Sequence, residues 1–273
     1  MKTTKSIAQS TTVKLSQLAK NQGKPFDKLL TIFLLERAIV RMMTDTKLHD
    51  HLIFKGGYVS VRVYDSPRFT IDIDTILRGL SQEEAIEKIK IAMAQPSADA
   101  TWFQFEKEVN LVMQNEYGGR RLIYRGGLGE MPAQLNRAQI IDIDIGTNDP
   151  VTPAPISIQS PTLLDSGSIS WQVYPVETIL AEKIHALVSK GSANSRAKDV
   201  FDIGLLLPKA SPVTLQKAIQ ATFSYRGDPP PADIGSFLTS IDLTLLKKAG
   251  KVQQAMSRRA LILILPMKKL SRF

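Results

Sequence analysis

The chain has 273 residues, 43% of them hydrophobic, which suits one large domain or two ordinary ones and excludes a mini-protein without a core. It has no cysteine and only three histidines (His49, His51 and His185), so disulfides and thiolate metal sites are excluded, and a zinc site or His-based triad is disfavoured. The net charge of +9 favours a polyanionic partner such as RNA, DNA or acidic lipid.

Residues 1–24 are polar and basic, with a short helical pattern around Val13, Leu15, Leu18 and Ala19. The first ten residues have no apolar run behind them, and the apolar stretch at 260–265 is too short to cross a bilayer. The expectation is a cytoplasmic protein with no membrane partner. Residues 25–43 predict a helix with Pro25 in its first turn and a stripe of Phe26, Leu29, Leu30, Phe33 and Val40. Residues 52–54 read as a strand entering the Lys55-Gly56-Gly57 turn, followed by a helix over 58–64. The Asp65-Ser66-Pro67 turn feeds a strand over 68–77, and Ser81-Gln82-Glu83-Glu84 forms a capping box for a helix through Ala94. Strands are expected around 103–113, 121–124 and 139–146. Pro150, Pro153, Pro155 and Pro161 mark the connection to a mainly helical half, with helices over 174–190, stopped by Gly191, over 196–207, and from Ser211-Pro212. After Pro229-Pro230-Pro231 a last helical segment is expected. The class is α+β: a mixed sheet with helices over 1–165, then a helical domain over 166–273.

Two Ile-Asp-Ile-Asp runs carry the chemistry. Side chains at i and i+2 of a strand share a face, so Asp72 and Asp74 project together while Ile71 and Ile73 enter a core. Ile141, Ile143 and Ile145 are likewise expected to be buried, with Asp142 and Asp144 on the opposite face. Clustered carboxylates repel, and a divalent cation relieves them. A solvent-facing acidic row on an edge strand would give the same local pattern, and Arg68 could also intervene, or contact a phosphate. Gly56 and Gly57 let the backbone approach a ligand, although an ordinary turn would use them too. Farther along, Ile179, Leu180, Ile184, Leu187 and Val188 form a buried helical stripe with Lys183 at its margin. Asp199 and Asp202, at i and i+3, can reach a lysine or pair with Lys198 or Arg196. His185 reads as a packing residue.

These residues, in this order, resemble the AbiEii/AbiGii toxin family of bacterial nucleotidyltransferases. The likeness runs from about residue 14 to 226 through LLERAIVRM, FKGGYVSVRVYDSPRFTIDID, IDIGTNDPVTP, YPVETILAEKIHALVSKGSANSRAKDVFDIGLLL and AIQATFSYRG. It implies a nucleotidyltransferase-fold core joined to a helical domain. It implies a motif of Gly56, Gly57, Asp72 and Asp74 with distal Lys183 and Asp199. The expected mechanism uses Mg²⁺ (or Mn²⁺) on Asp72, Asp74 and Asp144, with Asp144 alternatively a base. Lys55, Gly56, Gly57, Arg68, Thr70 and Asp202 would serve the NTP, and Lys183 and Asp199 the phosphates and the acceptor. The acceptor expected is an RNA 3′ end, such as tRNA. The partners expected are a separately encoded antitoxin and no second copy of the chain, that is, a monomer. A kinase moving the γ-phosphate and a non-catalytic nucleic-acid-binding module are the alternatives. The sequence departs from the family at Val176 (often Arg), Asn148 (Gly) and Thr70 (often Ser), and the tail after about 250 matches nothing in it.

Overall fold

The computed structural model describes residues 3–111, 118–190 and 197–231. The chain forms two compact units, residues 1–148 with 156–173 and residues 149–155 with 174–273.

The first unit is built on a mixed seven-stranded sheet. Its strands are β1 (Leu52–Lys55), β2 (Asp72–Leu77), β3 (Thr101–Leu111), β4 (Gly119–Leu128), β5 (Gln139–Thr147), β6 (Ile156–Pro161) and β7 (Ser168–Val173), in the order β3-β4-β5-β2-β1-β7-β6. β2 runs parallel to β5 and β1 parallel to β7, while the other neighbours are antiparallel. Its helices are α1 (Thr4–Gln22), α2 (Phe26–Met42), α3 (Thr46–His51), α4 (Gly56–Arg62) and α5 (Gln82–Ala94). Ser81 caps α5 by accepting the Glu84 N–H, as the capping box predicts.

Several elements differ from expectation for identifiable reasons. α1 is a 19-residue helix, started by the Thr3 side chain and stopped by Gly23 at φ +61°. Leu15 and Ala19 pack on Leu29 and Phe33 of α2. α2 is buried nearly all round, through Ile32, Leu34, Leu35, Ala38 and Ile39, whereas Phe26 of the expected stripe is exposed. Its polar residues are buried because they have partners. Glu36 accepts from Arg37, Arg62 and the Leu163 N–H, and Arg41 donates to the carbonyls of Met93 and Thr101. Ile73, Ile141, Ile143 and Ile145 are buried, but Ile71 is 54% exposed because β2 begins one residue after it. Beyond Pro155 the chain supplies two further strands before it becomes helical. β7 lies between β1 and β6, so the first unit extends to Val173 rather than stopping at 165.

The second unit contains α6 (Val176–Lys190), α7 (Ala197–Leu206), a 3₁₀ turn (Leu207–Lys209) and α8 (Pro212–Arg226). Residues 149–155 belong with it through exchanged hydrogen bonds between Thr152 and Thr178 and a bond from Arg226 to Asp149. Glu177 accepts the Ser211 N–H at the start of α8. His185 packs edge-on against Phe223 and contacts Asp228 at 2.8 Å. Gly191, Arg196, the expected last helix and the tail lie outside the described residues, as does the end of the 103–113 strand.

Candidate active site

Strand register brings the charged residues of the first unit into rows. Asp72 lies opposite Asp142 and Asp74 opposite Asp144 on the parallel neighbours β2 and β5. On one side Asp74 faces Lys55 of β1, and on the other Asp144 faces Arg121 of β4. Partners directly across a sheet share a face. A row Lys55–Asp74–Asp144–Arg121 therefore crosses four strands on a single face, with Asp72 and Asp142 beside it.

The Gly-Gly turn lies against this row. Gly56 has φ +70°, and a Cβ there would come within 1.8 Å of Asp74 Oδ2. A Cβ at Gly57 would stand 2.7 Å from Thr70 Oγ1. The glycines thus allow the α4 backbone to contact side chains that any larger residue would displace. Thr70 donates to Asp72 Oδ1 at 2.5 Å, fixing that carboxylate. The backbone N–H of Arg68 bonds Ser66 Oγ at the turn before β2.

The sequence did not suggest Arg121. Its Nε and Nη2 donate to the two oxygens of Asp144 at 2.6 and 2.7 Å, and its Nη1 lies 3.4 Å from Asp142 Oδ2. The arginine between the carboxylates of β5 is therefore Arg121. Only the pairing of β4 with β5 reveals this. In sequence Arg121 is one of two adjacent arginines 21 residues before Asp142, with no motif around it.

Asp142 is the least satisfied member. Its Oδ1 is buried without a partner, and burial raises its pKa, opposed by Arg121 and reinforced by Asp144 and Asp72. A carboxyl whose pKa rises on folding binds a proton more readily when folded. Its charge therefore lowers stability above the raised pKa, and the penalty fades as pH falls through it. Asp142→Asn is expected to stabilise the fold by about 1 kcal/mol at neutral pH. Thermal melts across pH should show this gain shrinking in acid, and an equal gain at every pH would refute the assignment.

The donor set suits a divalent ion in part. Asp72 and Asp74, two carboxylates on one strand face with Thr70 fixing one of them, fit a hard cation that completes its shell with water and phosphate oxygens. Among the described residues no group of three or more acidic or histidine side chains is gathered for a metal. The expected third ligand, Asp144, has both oxygens on Arg121.

In the second unit Lys183 Nζ lies 3.1 Å from Asp199 Oδ1 and 2.7 Å from Asp202 Oδ2. Asp202 is fully buried, so its contact with the lysine is shielded from water. Lys183 on α6 is thus a partner of both aspartates, and it is ion-paired rather than reaching past the apolar stripe to water; Arg196 and the Lys198 side chain lie outside the described residues.

A family model described as nucleotidyl transferase AbiEii toxin, type IV toxin–antitoxin system, matches residues 37–261. The chain belongs to this family. It is accordingly a nucleotidyltransferase, and its family implies an NTP substrate and an antitoxin. This AbiEii chain is similar to a crystal structure from H. pylori classed as a nucleotidyltransferase, at 16% identity and TM-score 0.50, covering 89% of this chain and 98% of that one. It is also similar to JHP933 from Helicobacter pylori, at 16% identity and TM-score 0.48, covering 87% and 92%. A third likeness is to an antigenic nucleotidyltransferase-like protein from Paracoccidioides brasiliensis, at 16% identity and TM-score 0.43, covering 76% and 92%. No curated protein matches the AbiEii chain in sequence. Among the described residues no helix is long and apolar enough to cross a membrane. Asn148, where the family often has glycine, takes φ +66°, a left-handed conformation that asparagine tolerates better than most residues.

Proposed function

We propose that this chain transfers the NMP of an NTP to an RNA 3′ end, such as that of tRNA, with Mg²⁺ or Mn²⁺ held by Asp72 and Asp74. The observation that carries the reading is the charge row against the Gly56-Gly57 turn, in a chain of a nucleotidyltransferase family. A bound divalent ion supplies charge neutralisation at the phosphates and lowers the pKa of an attacking hydroxyl.

The protein's own residues supply position and field. Thr70 holds Asp72 in one rotamer, and the missing side chains at Gly56 and Gly57 let the turn's backbone sit against Asp74 and Thr70, where a triphosphate would meet the carboxylates. Lys55, at the end of the row, and Arg68, just before β2, offer positive charge to the triphosphate. Arg121 orients Asp144, which would complete the metal site or, alternatively, accept the proton of the attacking hydroxyl. In the second unit Lys183, held by Asp199 and Asp202, is the motif's phosphate-charge residue.

The test is incubation of the purified protein with each α-labelled NTP, Mg²⁺ and total RNA. Label from one or more NTPs is expected in RNA of tRNA size. Transfer of γ-label instead would assign a kinase, and no transfer of either label would overturn the proposal.

A further inference from the structure

The net positive charge of this protein comes from its ends. Residues 1–26 contain Lys2, Lys5, Lys14, Lys20 and Lys24 and no carboxylate, the first being Asp27. Residues 27–231 carry 22 Lys and Arg against 24 Asp and Glu, so the body that holds the candidate site is not basic overall. Within the described part, the charge excess lies on α1 and the turn that follows it.

α1 buries Leu15 and Ala19 against α2 and exposes Lys5, Lys14 and Lys20 across its outer side. The rest of that side is Ser, Thr, Gln and Asn, and Val13 is the large apolar residue exposed on it. Lysines among short hydroxyl and amide side chains are the usual contacts of a phosphate backbone. A protein partner would instead need aromatic or aliphatic anchors, which this surface lacks. Asp165, which lies in the field of Lys14, is already faced by Arg37 at 3.6 Å. The basic series continues through Lys24 to Lys28 in the first turn of α2. Lys28 Nζ sits 5.3 Å from the centre of the Phe69 ring. Phe69 immediately precedes Thr70, the residue that bonds Asp72. The series of lysines therefore ends at the segment that leads into β2.

We propose that Lys14, Lys20, Lys24 and Lys28 form a track for an RNA phosphate backbone on α1 and the start of α2. The inference rests on the RNA-acceptor reading above, and it adds the surface that recognises the RNA and the charge-based, sequence-independent mode of recognition.

The test is fluorescence anisotropy of a labelled RNA hairpin with a single-stranded 3′ end, titrated with full-length protein over a KCl series. Changing the four lysines together to Gln is expected to weaken binding at least about tenfold and to lower the salt slope by about 3, near 0.7 to 0.9 per lost contact. The four-arginine version should keep both affinity and slope. A double Lys107→Gln, Lys217→Gln control removes exposed or surface-helix charge elsewhere and should bind like wild type. The proposal is overturned if the glutamine variant binds the hairpin with unchanged affinity and slope, if wild type does not bind it, or if the variant loses an acidic protein partner while RNA binding persists. RNA binding that depends on the track, without labelled NMP reaching the RNA, would uphold the track and refute the acceptor assignment.

Discussion

Replacing Asp72 or Asp74 by asparagine is expected to lower nucleotidyl transfer by about a thousandfold without lowering stability. The two predictions have one origin. Four carboxylates face each other in register on β2 and β5, and cations reach them from Lys55 at one end and Arg121 at the other. Removing one negative charge relieves repulsion in the fold. The same change removes half of the anionic donor set proposed for the divalent ion. In Asp72→Asn the amide oxygen would still accept the Thr70 hydroxyl, so the local geometry survives and the loss reports charge rather than collapse. Labelled-NMP transfer gives the first quantity, and melting with and without Mn²⁺ gives the second. Wild type should be stabilised by Mn²⁺ and the variants much less. Transfer within tenfold of wild type would remove both residues from the chemistry.

The acidic pattern was legible because alternation fixes which face a side chain takes, and both acidic runs became strands with Ile73, Ile141, Ile143 and Ile145 inward, while Ile71 stays exposed just before β2. Alternation cannot give the neighbour of a strand. That β2 and β5 are adjacent, and that β4 closes over β5 with Arg121 opposite Asp144, is a matter of sheet order between segments far apart in sequence. β6 and β7 were missed for a related reason. They are six residues each, and β6 shows a largely exposed pattern that resembles a polar connection. β7 is intelligible as a strand once Trp171 is seen packed tilted against Phe54 and edge-on against Tyr58. The all-round burial of α2 also departs from a one-stripe reading. Glu36, Arg37 and Arg41 look like a polar face in sequence, yet each is buried with partners, several of them supplied by residues distant along the chain. In the second unit the i, i+3 spacing of Asp199 and Asp202 placed them on one side of α7, but that Lys183 reaches both of them follows only from α6 lying beside α7.

Arg121 provides the other large effect. Its guanidinium makes a two-pronged contact with Asp144 and reaches Asp142, so Arg121→Ala leaves two neighbouring carboxylates without their cation. Breaking a fully buried pair from one side costs about 3–5 kcal/mol. Here the arginine side chain is 33% exposed and Asp144 16%, so solvent screening reduces the expected loss to about 2–3 kcal/mol. Lysine restores charge but not the fork, and Arg121→Lys should recover only part of the loss. The divalent dependence separates this account from a generic core defect. The space and charge left by the guanidinium suit a cation, so Mn²⁺ should raise the melting temperature of Arg121→Ala more than that of wild type, and a second Asp144→Asn change should abolish the extra rise. Thermal melts in EDTA and in Mn²⁺, with urea unfolding for the free energies, measure both. A variant as stable as wild type in EDTA, or one that Mn²⁺ stabilises no further than wild type, would show that Arg121 does not hold the β5 carboxylates in solution.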